Sequence, residues 1–75
     1  MTTNGIKQVV NYLQITYPKY YKWHNKESLL SFVVVTYSEY SDTEVIESYK
    51  LFSDPDNPPS VFQIVTTIKR FREHR

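Results

Sequence analysis

The chain has 75 residues, a formal net charge of +1 and no cysteine. A single domain of this length buries only about 60% of its unfolded surface, and without cysteine it has no disulfide and no thiolate nucleophile or metal ligand. Residues 1–10 lack the apolar run of a signal peptide, and the longest apolar stretch, residues 32–35, is too short to span a bilayer. We therefore expect one cytoplasmic domain covering residues 1–75, with no contact to membranes.

The first predicted element is an amphipathic helix over about residues 4–17. Thr3 or Asn4 is expected to cap its free amides, and Pro18 is expected to end it because proline disfavours helical geometry in the residue before it. Gly5 lies in the first turn, where we expect it to cost little stability. Apolar residues recur every three or four positions, as on one helical face: Ile6, Val9, Val10, Leu13 and Tyr17.

The second predicted helix covers about residues 26–38 and begins after the N-cap Asn25. Its β-branched run "SFVVVTY" is also typical of a buried strand. A helix is favoured because the apolar run to Tyr40 is longer than a typical strand and because a lone strand has no pairing partner. Apolar residues surround most of this helix, as expected for the central helix of a small bundle: Leu29, Leu30, Phe32, Val33, Val34 and Tyr37.

The last two predicted helices, over about residues 42–52 and 60–72, each begin at a capping box. Ser41 pairs with Glu44 in one and Ser60 with Gln63 in the other. The rigid turn "SDPDNPP" joins them. The expected inward stripes are Val45, Ile46, Tyr49 and Phe52, then Val61, Ile64, Val65, Ile68 and Phe71. The sequence therefore predicts an all-α fold, a compact bundle of four short helices.

Charge is distributed in three blocks along the chain. Residues 1–26 hold four lysines and no acid, residues 27–56 hold seven acids against one lysine, and residues 57–75 hold four cations against one acid. In one interpretation the acidic middle folds against the two basic ends. In the other, two surfaces of opposite sign serve two partners.

No motif of catalysis or metal binding is recognisable. A chain with one glycine cannot carry the Gly-rich loops that bind phosphates or dinucleotides, and His24 and His74 lie 50 positions apart without partners at metal-ligand spacing. We therefore expect a protein that is not an enzyme and uses no cofactor or metal.

Two segments combine cations with aromatic residues and are candidate partner-binding sites. The link "YPKYYKWHNK" could cover one end of the core, bind a protein, or stack bases and neutralise phosphates. The basic end "KRFREHR" is ordinary for a helix C-terminus but could also contact phosphates or an acidic protein. The candidate residues are Tyr20, Tyr21, Lys22, Trp23, Lys69, Arg70 and Arg72. Val34, Val35 and Tyr40, if exposed, would leave apolar surface that could support a dimer.

Three short motifs resemble those of a known family. They are Tyr17-Pro18 at the end of the first helix, Asp42-x-x-Val45-x-x-x-Tyr49 in the third, and Pro58-Pro59-Ser60 before the last. In this order they resemble the small phage proteins that load, and also inhibit, the replicative helicase. The likeness covers nearly the whole chain.

The resemblance implies a helical, non-enzymatic protein that binds the hexameric helicase, restrains it and delivers it to a phage origin-binding protein. Members of that family usually continue into a flexible C-terminal segment that engages the helicase, whereas this sequence ends at Arg75. The resemblance therefore also allows another face to be used, such as one that binds the host's helicase-loader ATPase, with weak DNA binding or none. The alternatives are a small helical DNA-binding module and an inhibitor of another host protein, whose acidic residues Glu39, Asp42, Glu44 and Glu47 imitate nucleic acid.

Overall fold

Five helices follow one another in a computed structural model that describes residues 1–22 and 25–74. They are α1 (Thr3–Thr16), α2 (Pro18–Tyr21), α3 (Lys26–Tyr37), α4 (Asp42–Lys50) and α5 (Val61–Glu73). The predicted all-α fold is confirmed, and "SFVVVTY" is helical rather than a strand. The short helix α2 was not predicted: Pro18 ends α1 and also occupies the first position of α2, where its missing N–H costs nothing.

The helix starts follow the capping residues closely. Ser41 Oγ accepts from the Glu44 amide at 3.2 Å while the Glu44 side chain accepts from the Ser41 amide at 3.0 Å. Ser60 and Gln63 form the same reciprocal pair. The cap of α1 is one residue earlier than expected, because Thr2, rather than Thr3 or Asn4, accepts from the Gly5 amide.

The four longer helices alternate in direction. The amino group of Met1 donates to the Ser38 carbonyl, which brings the start of α1 to the end of α3. The amide of Thr2 donates to Asp42, and the Tyr17 hydroxyl donates to the Phe52 carbonyl, so α1 and α4 run parallel. Helix α5 returns antiparallel to α4. Helix α1 packs against α2, α3 and α4, and α4 packs against α5.

Tyrosines form much of the core. The rings of Tyr12, Tyr17, Tyr37 and Tyr49 meet at centroid separations of about 6 Å, and the hydroxyls of Tyr37 and Tyr49 are 2.8 Å apart in a buried hydrogen bond. Burial raises the pKa of Tyr17 to about 12. The aliphatic core consists of Val9, Val10, Leu13, Leu29, Val33, Val45, Ile64 and Ile68, each worth about 1.5–3 kcal/mol when removed from water.

The expectation that the second long helix is central is wrong. Helix α3 buries one stripe, Leu29, Val33 and Tyr37, and leaves Phe32 and Val34 39% and 42% exposed. Helix α1 holds the central position. The apolar stripe expected on α5 is less buried at its two ends, since Val61 is 38% exposed and Phe71 is half-buried.

Candidate partner-binding surface

Helix α2 is fastened to the loop between α4 and α5 by two of its own side chains. The Lys19 ammonium lies 3.0 Å from the Asp56 carboxylate, and the Tyr20 hydroxyl donates to the Asp56 carbonyl at 2.9 Å. The Tyr20 side chain is 46% exposed. This predicted site residue therefore has a structural contact and an accessible face.

Tyr21 lies on the other side of α2, in an apolar pocket of about 270 Å³ between α2 and α3 that it lines with Ser28, Leu29 and Phe32. Its ring packs edge-on against Tyr17 at 6.3 Å, and burial raises the pKa of its hydroxyl. Phe32 forms the outer wall of the pocket. A large apolar side chain of another molecule would fit this pocket.

The remaining predicted residues fall into two classes. Lys22 is exposed after α2, and Trp23 lies outside the described residues, as do His24 and Arg75. Lys69 and Arg70 are exposed on α5. Lys22, Lys69 and Arg70 are therefore accessible cations.

Arg72 makes its polar contacts within the protein, although about half of its side chain is exposed to solvent. Its Nε and Nη2 atoms donate to the two carboxylate oxygens of Glu44 at 2.7 and 3.0 Å, and its guanidinium lies 5.2 Å from the centre of the Tyr40 ring. Glu44 is 4% exposed. Hydrogen bonds from Arg72 and from the Ser41 amide lower the pKa of Glu44 to about 2. We call Arg72, Glu44 and Tyr40 together the Arg72 clasp. It joins the end of α5 to the start of α4.

The two predicted cationic segments lie at opposite ends of the bundle. The α2 end is marked by the Tyr17 and Lys19 contacts to residues 52–56. The Arg72 clasp lies at the start of α4, where Asp42 also accepts from Thr2. The 14-residue helix α1 separates these ends by about 20 Å. The structure therefore does not bring Tyr20, Tyr21 and Lys22 together with the α5 cations.

Three of the four acidic residues considered as a nucleic-acid mimic already contact other residues of the protein. Glu44 belongs to the Arg72 clasp, and the Asp42 carboxylate accepts from both the amide and the hydroxyl of Thr2, bonds that lower its pKa. Glu47 lies 3.8 Å from Lys50. The fourth residue, Glu39, is exposed. It has no observed salt bridge within residues 1–22 and 25–74.

Val34 and Val35, two of the three residues considered above as exposed apolar surface, are exposed on α3. Eleven consecutive residues, Ser28 to Ser38, carry no charge, and Val35 is 82% exposed between the partly exposed Phe32 and Val34. We call this the α3 outward face: Ser28, Ser31, Phe32, Val34, Val35 and Ser38. Tyr40, which we had also considered as exposed apolar surface, is buried beneath Arg72.

The sequence pointed to Val34 and Val35 but not to the rest of the α3 outward face, because an apolar run has the same pattern whether a helix is central or peripheral. The available signal was the serine at positions 28, 31 and 38, which breaks the apolar pattern on one side of the helix. Isolated apolar residues are also exposed elsewhere: Ile15, Leu51 and Phe62.

Ranges 1–22 and 25–74 contain no group of three or more side chains arranged to hold a metal ion. Within those ranges no helix has the length and hydrophobicity needed to cross a bilayer. Comparison with family models, with curated proteins and with solved structures found no match.

Proposed function

We propose that this chain is a non-enzymatic replication accessory protein of phage type that acts in the host cytoplasm. It binds the replicative helicase or the helicase-loader ATPase and so loads or inhibits the helicase. The observation that carries the protein-binding part is the α3 outward face, which exposes Phe32, Val34 and Val35 without a charge for eleven residues. Apolar surface of this kind, rimmed by polar residues, is typical of protein interaction sites.

The pocket between α2 and α3 supports the same proposal. It shares Ser28 and Phe32 with the α3 outward face and adds the predicted residue Tyr21. Aromatic side chains beside a pocket are typical of the residues that dominate binding energy at protein interfaces. The choice of the helicase and the loader as partners rests on the three motifs that resemble those of the phage family.

Protein binding is favoured over DNA binding because several cations are already neutralised. Lys19 pairs with Asp56, Lys50 lies near Glu47 and Arg72 is bound to Glu44. Fewer free cations means fewer phosphate contacts, and phosphate contacts supply most non-specific affinity for DNA. We therefore expect DNA binding to be weak and to be lost as salt rises.

The test is size-exclusion chromatography with light scattering. The protein is mixed with a bacterial replicative helicase and ATP, with the loader ATPase, with a phage origin-binding protein, and with single- and double-stranded DNA. Co-elution with helicase or loader that persists at about 0.3 M salt is the expected result, because buried apolar contacts are not screened. Co-elution with DNA alone, lost at that salt, would instead identify a nucleic-acid module.

A pair of variants locates the surface in the same experiment. Val35→Lys places a charge in the α3 outward face and is expected to abolish co-elution. Leu51→Lys makes the same change at the end of α4, where the native side chain is 64% exposed, and controls for added charge. If both variants lose co-elution equally, or if neither loses it, the assignment of the α3 outward face is contradicted.

A further inference from the structure

A second groove lies on the opposite flank of α3, against α1. Its volume is about 280 Å³ and its lining residues come from both helices: Lys7, Val10, Asn11, Lys26 and Leu30. We call it the α1–α3 groove. It shares no lining residue with the Tyr21 pocket, so it is a separate feature of the molecule.

The floor of the groove is aliphatic and extends along α3. Val10 is buried and Leu30 is partly exposed. Val34 follows Leu30 by one helical turn, so it lies on the same face of α3, and its side chain is 42% exposed. The apolar floor therefore continues along α3 from Leu30 to Val34, about 6 Å along the helix axis.

The rim of the groove is positive and uncompensated. Lys7 on α1 and Lys26 on α3 are both exposed, and neither ammonium has a salt bridge to any residue of 1–22 or 25–74. This differs from Lys19 and Arg72, which have carboxylate partners within the fold. The polar side chain of Asn11 is exposed on the same rim.

We propose that the α1–α3 groove binds an acidic amphipathic helix of a partner protein. Two antiparallel helices form a groove into which the ridge of a third helix packs, and recognition of amphipathic helices in apolar grooves is a recurrent mode. Lys7 and Lys26 select a partner helix that has acidic residues on both sides of its apolar stripe. An aliphatic floor favours this occupant over single-stranded nucleic acid, because Val10 and Leu30 offer no aromatic face on which bases stack.

This inference rests on the proposed protein-binding function and adds the chemistry of the partner segment. It assigns the apolar stripe of that segment to Val10, Leu30 and Val34, and its acidic residues to Lys7 and Lys26. Val34 also belongs to the α3 outward face, so the two surfaces adjoin there, while the Tyr21 pocket remains available for a second contact by the same partner.

The test uses a defined probe, a fluorescein-labelled helical peptide of about 14 residues with the sequence AELLEELAELLEEA. Its control, AKLLKKLAKLLKKA, has the same apolar stripe and opposite charge. Fluorescence anisotropy measures affinity at low and high salt, and amide shifts in ¹⁵N spectra locate the peptide. We expect the acidic peptide to bind, to shift Val10, Asn11 and Leu30, and to bind at least about tenfold more tightly than the control.

The protein variants keep the fold and change the rim. Lys7→Glu with Lys26→Glu is expected to weaken the acidic peptide about tenfold. Lys50→Glu with Lys69→Glu reverses two charges at exposed residues that do not line the groove, matches the change in net charge and is expected to have little effect. Val34→Ser tests the apolar floor without adding a charge and is also expected to weaken binding, with circular dichroism confirming that each variant remains helical.

The possible failures are distinguishable. No binding of the acidic peptide, or equal binding to wild type and to the Lys7→Glu, Lys26→Glu variant, would overturn the inference. So would binding of single-stranded DNA that depends on the same two lysines and is unaffected by the peptide. If helicase or loader co-elutes equally with wild type and with the double variant, the proposed function stands and the groove fails. If the peptide binds the groove but neither protein co-elutes, the groove stands and the replication function fails.

Discussion

The Arg72 clasp and the α1–α3 groove both place cations beside apolar or aromatic side chains, yet only the cation of the clasp has a carboxylate partner among the described residues. In the clasp, the guanidinium makes two hydrogen bonds to a nearly buried carboxylate and covers the Tyr40 ring. In the groove, Lys7 and Lys26 flank an apolar floor and have no salt bridge to the described residues. A cation is available for a partner only when the fold has not already supplied an anion.

Removing the cation of the clasp is the largest expected effect. Arg72→Ala leaves the nearly buried Glu44 carboxylate without its counter-ion, and we expect the protein to lose stability. Thermal denaturation followed by circular dichroism measures the loss, as a fall in Tm of several degrees. Arg70→Ala, two residues earlier and exposed, is the matched control; equal loss in both variants would mean that the clasp contributes nothing specific.

Removing only the charge of Glu44 tests the clasp through pH. The native pKa of Glu44, about 2, lies below its ordinary value of 4.5, so its contribution is complete above pH 4.5 and is lost as pH falls towards 2. Glu44→Gln retains the capping geometry that Ser60 and Gln63 use. We expect this variant to be less stable at pH 7 by about 1.5 kcal/mol and to lose less stability than wild type between pH 5 and 2.

Urea titrations at pH 7, 5, 4, 3 and 2 measure that difference. Asp42, whose pKa is lowered by its bonds to Thr2, is still present in the variant, so part of the acid dependence is retained. Wild-type and variant curves that remain parallel over this range would show that Glu44 is not the titrating group.

A contact near the clasp gives a smaller effect with an unusual sign. Gly5→Ala normally stabilises a helix, but here the added Cβ would overlap the Asp42 carboxylate and displace it from Thr2. We expect a net loss of about 1 kcal/mol in the free energy of unfolding, because the lost hydrogen bonds outweigh the gain in helix propensity. Repeating the change in an Asp42→Ala background should reverse its sign, and an unchanged loss there would contradict the contact.

The smallest effect on stability is expected at the groove. Lys7→Glu with Lys26→Glu breaks no salt bridge observed in the fold, so we expect the free energy of unfolding to change by less than about 0.5 kcal/mol. Chemical denaturation of the double variant beside Arg72→Ala measures this contrast directly. A loss comparable to that of Arg72→Ala would show that the lysines are structural and would remove the difference between the two regions.

Local signals predicted most of the secondary structure because helix starts and stripes depend on near neighbours. Asn25, Ser41 and Ser60 cap helices as expected, since each side chain reaches an amide two or three residues on. The cap of α1 was misplaced by one residue, and α2 was missed because Pro18 could either end one helix or begin the next.

The candidate site was predicted less well. Tyr21 lines a pocket, and Tyr20, Lys22, Lys69 and Arg70 are accessible, but Arg72 is held by a residue 28 positions away. Nothing near Arg72 in the sequence distinguishes it from Arg70. The groove was also not predicted, because Lys7 and Lys26 are brought together only by the antiparallel packing of α1 and α3.

By itself, the sequence determined that this chain forms helices and where most of them begin. Those outcomes depend on caps, apolar spacing and proline, which act over a few residues. Only the tertiary structure decided which apolar run is central, which cations are neutralised and which surfaces stay open. Helix α3 is peripheral because α1, rather than α3, receives the packing of α4. Arg72 is paired because the antiparallel return of α5 ends beside Glu44. Burial and pairing are properties of contacts between distant segments, which no local pattern encodes.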